Sequence, residues 1–207
     1  RDGYRTGLSD ILRRAGLNKS TFYHYFESKE ALVLEALTLR SESEHKFLRD
    51  LAAKKKDLGT FLSSWVQTVT RAARSGKFVG CPLAAFAYQL SEAEAKVYGD
   101  RLALTTHRWL GDVVQLIESL KKAGSLSATL DAEALGMRIL TAYEGAVTMW
   151  RLTRSDNHWT HLKREFARIA RDAAAHRRGD GGCALLRPRG AALPRDRGAP
   201  RRGAPRR

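Results

Sequence analysis

Residues 8–32 read LSDILRRAGLNKSTFYHYFESKEAL, and this stretch predicts two short helices joined by a tight turn and followed by a third helix. Apolar side chains recur at helical spacing between Leu8 and Ala15, which gives the first helix one apolar face. Gly16 follows, and glycine adopts at little steric cost the left-handed backbone that ends one helix and turns the chain towards another. The turn between the first two helices is therefore specified by the sequence.

The second helix is predicted to have an outward face of polar and aromatic side chains. Asn18 or Ser20 can cap this helix by accepting a hydrogen bond from a free backbone N–H group. Phe22 and Phe26 recur at i and i+4 and supply its buried face, since so short a helix persists only if one face is buried. The outward face carries Lys19, Thr21, Tyr23, His24 and Tyr25. Such a face suits phosphate and base-edge contacts in a major groove, as in a helix-turn-helix DNA-binding unit.

The longer segment GLSDILRRAGLNKSTFYHYFESKEAL resembles the DNA-binding segment of TetR/AcrR-type transcriptional repressors, whose second and third helices end in a Tyr-x-x-Phe pattern and a Ser-Lys-Glu-Ala-Leu run. The match spans most of residues 3–40, and a weaker similarity reaches about residue 172 through GCPLAAFAYQLS and LDAEALGMRILTAYEGAVTMW. The opening Arg1-Asp2-Gly3-Tyr4 resembles the end of the family's first helix, and the link from Tyr4 to Leu8 is one residue shorter than usual. The resemblance therefore implies that nearly all of the first helix is absent.

The resemblance also implies which residues contact DNA. Lys19, Ser20 and Thr21 match positions that reach bases or nearby phosphates, whereas the alternative is a polar face that only meets solvent. The positions that match the family's DNA contacts are Thr6, Lys19, Ser20, Thr21, Tyr23, His24, Tyr25 and Lys29.

Two roles are expected within this set, because phosphate contacts position a protein on DNA whereas base contacts read its sequence. Lys19 and His24 are the candidates for base recognition. Thr6, Tyr23 and Lys29 are the candidates for phosphate anchoring, with Thr6 and Lys29 clamping the backbone on either side.

The composition fits one helical body with an attached DNA-binding unit. The chain has 207 residues, of which 43% are hydrophobic and 29% charged. Of its net charge of +15, +8 lies in residues 177–207 and +7 in residues 1–176, so more than half of the excess is in the tail. No apolar run is long enough to span a membrane and no secretory signal is recognisable, so we expect a soluble cytoplasmic protein without membrane association. Cys81 and Cys183 are too few and too far apart for a disulfide framework.

The predicted fold is all-α, because helical periodicity continues along the chain and no alternating strand pattern competes with it. We define three parts: a head at residues 1–45, which is the N-terminally incomplete helix-turn-helix domain; a body at residues 46–176, for ligand binding and dimerisation; and a tail at residues 177–207. Beyond the first two helices, the predicted helices cover residues 28–54, 57–74, 82–90, 91–122, 131–154 and 160–172.

The tail is rich in Arg, Gly and Pro and has few large apolar side chains, so it is predicted to be disordered. Two interpretations remain. It is either an electrostatic arm that adds non-specific phosphate affinity, or a non-native or frame-shifted terminus without a selected role.

The resemblance further implies an effector cavity in the body. Large or polarisable side chains there can form its walls, and a few polar groups can anchor a ligand. The alternative for most of these side chains is ordinary core packing. Cys81 is either a redox switch or, as we favour, a buried inert thiol. The predicted cavity residues are Trp65, Phe78, Cys81, Phe86, Tyr88, Thr106, His107, Trp109, Tyr143 and Trp150.

Two later helices carry apolar stripes at i+3 and i+4 spacing. These stripes could be buried within one subunit, but the resemblance implies a four-helix dimer interface that places two heads on successive major grooves. The predicted interface residues are Leu135, Ile139, Ala142, Ala146, Met149, Phe166, Ile169 and Ala170.

Signals for catalysis are weak. The sequence has no Gly-rich phosphate loop, no HExxH and no Cys pair with metal spacing, and His158-x-x-His161 alone is a weak metal signal. We therefore expect no enzyme activity, cofactor or metal. The expected function is a ligand-responsive regulator, a homodimeric repressor released from double-stranded, pseudo-palindromic operator DNA by a small-molecule effector. The alternatives are a ligand-binding dimer with impaired DNA binding, because its first helix is missing, and, more remotely, a small enzyme.

Overall fold

The computed structural model describes residues 5–76, 78 and 80–178, and within these ranges the chain contains only α-helices and connecting turns. This confirms the all-α prediction for that part of the chain. The helices are α1 Leu8–Ala15, α2 Lys19–Tyr25, α3 Lys29–Ala52, α4 Leu58–Arg74, α5 Pro82–Ala87, α6 Glu92–Lys122, α7 Ala132–Thr153 and α8 Asn157–Arg178.

The ends of the helices in the head follow the capping signals in the sequence. Gly16 ends α1 with a φ of 67°, the left-handed conformation that the turn requires. Asn18 caps α2, because its side chain accepts a hydrogen bond of 2.7 Å from the Thr21 backbone N–H. Ser20, the alternative cap, lies inside the helix. Ser28 caps α3 in the same way as Asn18 caps α2.

The hydrophobic core of the body is centred on Trp65, which is 1% exposed. Its ring centroid lies 4.7 Å from that of Tyr143 on α7, 6.3 Å from that of Trp109 on α6 and 5.9 Å from that of Phe166 on α8. Helix α4 packs mainly against α8, and the Trp65 ring extends from it to the aromatic rings of α6 and α7.

Helices α6 and α7 approach closely at Gly136. A Cβ atom there would lie 3.1 Å from side-chain atoms of both Leu110 and Val114. The absence of a side chain at Gly136 thus lets the two helices pack directly against each other.

Two helices, α8 and α5, differ clearly in extent from the sequence prediction. Helix α8 begins before Thr160 and continues past Asp172, because Trp159 and Ala173 are both buried and extend its apolar face. Helix α5 ends at Ala87 instead of residue 90. Helix α3 runs without a break through residues 45 and 46, so the head and the body share one continuous helix.

The prediction of a disordered tail concerns residues outside those that the structure describes, apart from the backbone of 177 and 178 at the end of α8. None of the helices in the described part of the chain is long and apolar enough to cross a membrane.

Candidate nucleic-acid interface and internal cavities

Helix α2 is held in place by its aromatic inner face. Phe22 is 4% exposed, and its ring stacks on that of Phe26 with 5.6 Å between the centroids. Leu12 of α1 is also buried, and α1 and α2 pack against each other. Because this inner face is fixed, the opposite face of α2 must point outwards.

That outward face carries the residues predicted from the sequence. Lys19, Ser20 and His24 are exposed, and Tyr23 and Tyr25 are 57% and 72% exposed. The rings of His24 and Tyr25 meet edge to face at 4.9 Å, which limits their conformational freedom. Thr21 is half-buried. Two large exposed tyrosines on a short helix are typical of a binding surface rather than of an ordinary solvated face.

Two of the three predicted phosphate anchors, Thr6 and Lys29, lie beside helix N-termini. Thr6 is half-buried in the bend that precedes α1, and Lys29 is the first residue of α3 and is also half-buried. Free backbone N–H groups and the helix dipole make such places favourable for phosphate.

Helix α3 is attached to α6 by polar contacts that the sequence did not reveal. The Thr38 hydroxyl accepts a hydrogen bond from the Arg101 guanidinium, and His45 Nδ1 bonds to the Asp112 carboxylate. His45 and Ser41 are buried although they lie in a stretch that reads as polar. A movement of α3 against α6 would therefore disturb specific paired groups as well as apolar packing.

The structure brings most of the predicted cavity residues into the core. Trp65, Cys81, Phe86, Trp109, Tyr143 and Trp150 are buried, and Phe78 packs against this cluster.

Three predicted polar cavity residues lie elsewhere, which corrects the prediction for Tyr88, Thr106 and His107. Tyr88 is 76% exposed, and both Thr106 and His107 are exposed. The reason is the helical phase of α6, since Thr105 and Trp109 point inwards and the two residues after Thr105 turn away.

A cavity of about 220 Å³ lies between α3, α4 and Tyr143 of α7, and a much smaller enclosed one of about 10 Å³ adjoins it beside Cys81. Glu44, Phe78 and Tyr143 line both. The larger cavity is lined by Arg40, Ser43, Glu44, Phe47, Thr68, Val69, Ala72, Phe78 and Tyr143.

Burial sets the protonation of the groups near these cavities. It raises the pKa of the Cys81 thiol to about 12, which keeps the thiol neutral and argues against a reactive thiolate. It also raises the pKa of the Glu144 carboxyl, and Glu144 Oε1 is buried without a hydrogen-bond partner in the described part of the chain. Glu44 and Glu144 were missed by the sequence analysis. The sequence did indicate that Glu144 is buried, because it follows Leu140 at i+4 on an otherwise apolar helix face.

The predicted interface stripes lie mostly inside the chain itself, which corrects the prediction for Leu135, Ile139, Ala146, Phe166 and Ile169. All five are buried in the core of the single chain. Ala142 and Ala170 are half-buried, and only Met149, at 45% exposed, presents a large surface to the outside.

The outer face of α7 is made mostly of small and apolar residues, together with Arg138, which pairs with Glu165 and Asp172 of α8. Met137 and Met149 are about half exposed and Leu152 is 73% exposed. Thr141 and Gly145 are also exposed, and nothing lies within 4 Å of a Cβ built at Gly145. Among the residues that the structure describes, no group of three or more His, Cys, Asp or Glu side chains is placed to hold a metal ion.

Comparison with known proteins assigns the chain to a family. The profile of "Bacterial regulatory proteins, tetR family" matches residues 1–36, and that of "Tetracyclin repressor-like, C-terminal domain" matches residues 55–166. The chain therefore belongs to the TetR family of bacterial regulatory proteins.

Individual relatives agree with this assignment. The HTH-type transcriptional repressor NemR of Escherichia coli (strain K12) is 33% identical over 77 residues, a match that spans 36% of this chain and only 39% of that repressor. A TetR-family transcriptional regulator from Cytophaga hutchinsonii has a similar fold, with a TM-score of 0.71, 18% identity and coverage of 81% of this chain and 84% of that one. A cysteine mutant of the regulator CifR, complexed with 26-bp double-strand operator DNA, gives a TM-score of 0.69, 20% identity and coverage of 82% and 87%.

Proposed function

We propose that this chain is a DNA-binding transcriptional regulator that reads a major groove with α2. The observation that carries the proposal is the outward face of α2, where exposed Lys19, Tyr23, His24 and Tyr25 are presented by a helix fixed through buried Phe22. A short capped helix with donors and aromatic rings on its free face is the element that helix-turn-helix proteins insert into DNA. NemR and CifR are described as a repressor and as a partner of operator DNA, which supports the same function here.

Within this proposal the two classes of contact keep the roles expected from the sequence. Lys19 and His24 contact base edges, and Ser20, Thr21 and Tyr25 contact neighbouring groove or backbone positions. Thr6 and Lys29, beside the N-termini of α1 and α3, contact phosphates on either side of α2 together with Tyr23.

The regulator acts as a homodimer that pairs through the outer faces of α7 and α8. A single helix as short as α2 contacts too few bases for tight specific binding, so two heads must bind two half-sites together. The exposed methionines and the open space at Gly145 allow close approach of a second α7 along its outer face. The buried stripe through Ile139 and Ile169 instead holds each subunit together.

An effector in the 220 Å³ cavity releases the repressor from its operator by moving α3. Arg40, Glu44 and Phe47 of α3 line that cavity, and the same helix begins at Lys29 next to α2. A ligand that binds better to a displaced α3 shifts the spacing of the two heads and lowers operator affinity.

Salt-dependent DNA binding tests the DNA-binding proposal. In the intact protein, Lys29→Ala should weaken binding to every duplex to a similar extent and reduce the slope of log affinity against log salt by about 1, because one phosphate contact is lost. Lys54→Ala removes the same charge from an exposed position beyond the end of α3 and should leave both quantities unchanged. Equal effects of the two substitutions would contradict the assignment of Lys29 as a phosphate contact.

A cavity-filling substitution tests the release mechanism without knowledge of the effector. Ala72 lines the 220 Å³ cavity, so Ala72→Trp should occupy part of it and lower operator affinity in the absence of any ligand. Ala87→Trp, at an exposed residue of α5, is the matched control. Operator affinity that is equal in both variants, with both proteins folded, would show that this cavity does not control the heads.

A further inference from the structure

A second and larger groove lies outside the proposed effector cavity, where the end of α4 meets the start of α8. Its volume is about 680 Å³, compared with about 220 Å³ for the cavity beside α3. The groove is lined by Val66, Gln67, Thr70, Arg71, Arg74, Ser75, Asp156, Trp159, Thr160 and Lys163.

The groove has an excess of positive charge. Three cationic side chains, Arg71, Arg74 and Lys163, line it, whereas Asp156 is its single acidic residue. Arg74 Nε donates to Asp156 at 2.9 Å, so that carboxylate is already paired. Neither Arg71 nor Lys163 forms an ion pair with any residue that the structure describes. Two cations from different helices therefore face the same groove without a carboxylate of their own.

The inner wall of the groove is apolar and fixed. Trp159 and Val66 are 2% and 3% exposed, and both belong to the lining. The Trp159 ring packs on the rings of Trp150 and Phe78, with centroids 5.3 Å and 6.0 Å away. The Trp159 indole N–H is buried and has no hydrogen-bond partner among the described residues. A buried donor without a partner is uncommon in folded proteins, and this one belongs to a residue that lines the groove.

We propose that this groove binds a small organic anion that combines an apolar, ring-containing part with a carboxylate or a phosphate group. The apolar part of the ligand lies against Trp159 and Val66, and its anionic group lies between Arg71 and Lys163. The hydroxyls of Thr70 and Thr160, which also line the groove, can donate further hydrogen bonds to the anionic group. Guanidinium and ammonium groups bind both carboxylate and phosphate through charge-assisted hydrogen bonds, so the two anions share one recognition chemistry.

Binding at this groove gives a ligand a second way to act on the helices of the body, in addition to the effector cavity. Arg71 belongs to α4, which also lines the cavity beside α3, and Lys163 belongs to α8, which packs against α7. An anion held by both side chains bridges α4 and α8 and favours the arrangement of the helices in which the two cations are closest. This role does not depend on which ligand occupies the 220 Å³ cavity beside α3.

Fluorescence titration with 8-anilinonaphthalene-1-sulfonate tests the proposal, with the uncharged N-phenyl-1-naphthylamine as the matched probe. Arg71→Gln and Lys163→Gln should each weaken binding of the sulfonate about tenfold and leave binding of the uncharged probe unchanged. Arg164→Gln removes an exposed positive charge next to Lys163 outside the groove and should change neither. Asp156→Asn should tighten binding of the sulfonate, because it frees Arg74, and should leave binding of the uncharged probe unchanged, whereas a loosened fold would increase the binding of both probes.

Competition then identifies the anionic group. Stronger displacement of the sulfonate by phenyl phosphate than by phenylacetate assigns a phosphate ester, the reverse order assigns a carboxylate, and either order supports the site. If uncharged 2-phenylethanol displaced the sulfonate as strongly as both anions do, the proposed anion site would be wrong. Sulfonate binding that is the same in Arg71→Gln, Lys163→Gln and Arg164→Gln would also overturn it.

Discussion

An arginine at Gly145 should separate the proposed dimer without harming the subunit. Gly145 lies on the exposed side of α7, and no atom lies within 4 Å of a Cβ built there. Within one subunit the new side chain therefore extends into solvent. Glycine is about 1 kcal/mol less favourable than alanine inside a helix and arginine is close to alanine, so the subunit should gain about 0.7 kcal/mol of stability.

The expected effect on association has the opposite sign and is larger. If two α7 helices meet along their outer faces, the arginine enters the contact without an acidic partner, and burying an unpaired charge costs on the order of 3–5 kcal/mol. Since each 1.4 kcal/mol corresponds to a factor of ten, the dimer dissociation constant should rise by at least a hundredfold.

Sedimentation velocity over a range of concentrations, combined with thermal unfolding, separates the two effects. Gly99→Arg is the matched control, because Gly99 lies inside α6 and its Cβ position is equally open. Gly99→Arg should stay dimeric and gain about 2 °C in Tm, whereas Gly145→Arg should become monomeric, lose operator binding and lose the part of the Tm that dimerisation contributes, while keeping its helicity. A Gly145→Arg protein that stays dimeric with the dissociation constant of the parent would refute the proposed interface.

Three further outcomes follow from the packing and the buried groups. Gly136→Leu should lower the free energy of unfolding by about 2 kcal/mol, because its side chain must enter the α6–α7 contact, whereas Gly111→Leu, at an open helical position, should not; urea unfolding measures both. Burial raises the pKa of the Glu144 carboxyl above its ordinary value of 4.5. The protonated carboxyl at low pH therefore favours the folded state, and this stability is lost as the pH rises through the raised pKa and the buried carboxyl ionises. Glu144→Gln should therefore be more stable than the parent at pH 8, by on the order of 1 kcal/mol, and the gap should close near pH 4. Burial raises the pKa of the Cys81 thiol to about 12, so alkylation by iodoacetamide at neutral pH should be slower than in the unfolded chain by on the order of tenfold or more, measured with Cys183→Ser; equal rates would contradict the buried thiol.

The head could be predicted closely because its signals are local. Gly16, Asn18 and Ser28 act on the backbone of their immediate neighbours, so their effects do not depend on the rest of the fold. The spacing of Phe22 and Phe26 likewise fixes which face of α2 is buried, and the outward face follows from it.

The body was harder to predict, because an apolar stripe shows that a face is buried but not against what. Ile139 and Ile169 have the spacing of an interface, yet they are completely buried by helices of the same chain. The polar cavity residues Thr106 and His107 were misplaced for a related reason, since one residue changes the direction of a helical side chain by about 100°. Such assignments require the helix phases, which depend on packing between segments distant in sequence.

Selection of bound duplexes from a random DNA library by the intact protein tests the central claim most directly, that two α2 helices read two halves of one operator. The enriched sequences should contain an inverted repeat whose half-sites are centred about one duplex turn or more apart. Lys19→Ala and His24→Ala should each change the preferred base at the same position of both half-sites, while the spacing between them stays as in the parent. Enriched sequences without an inverted repeat, or a base preference that neither substitution alters, would contradict reading by α2.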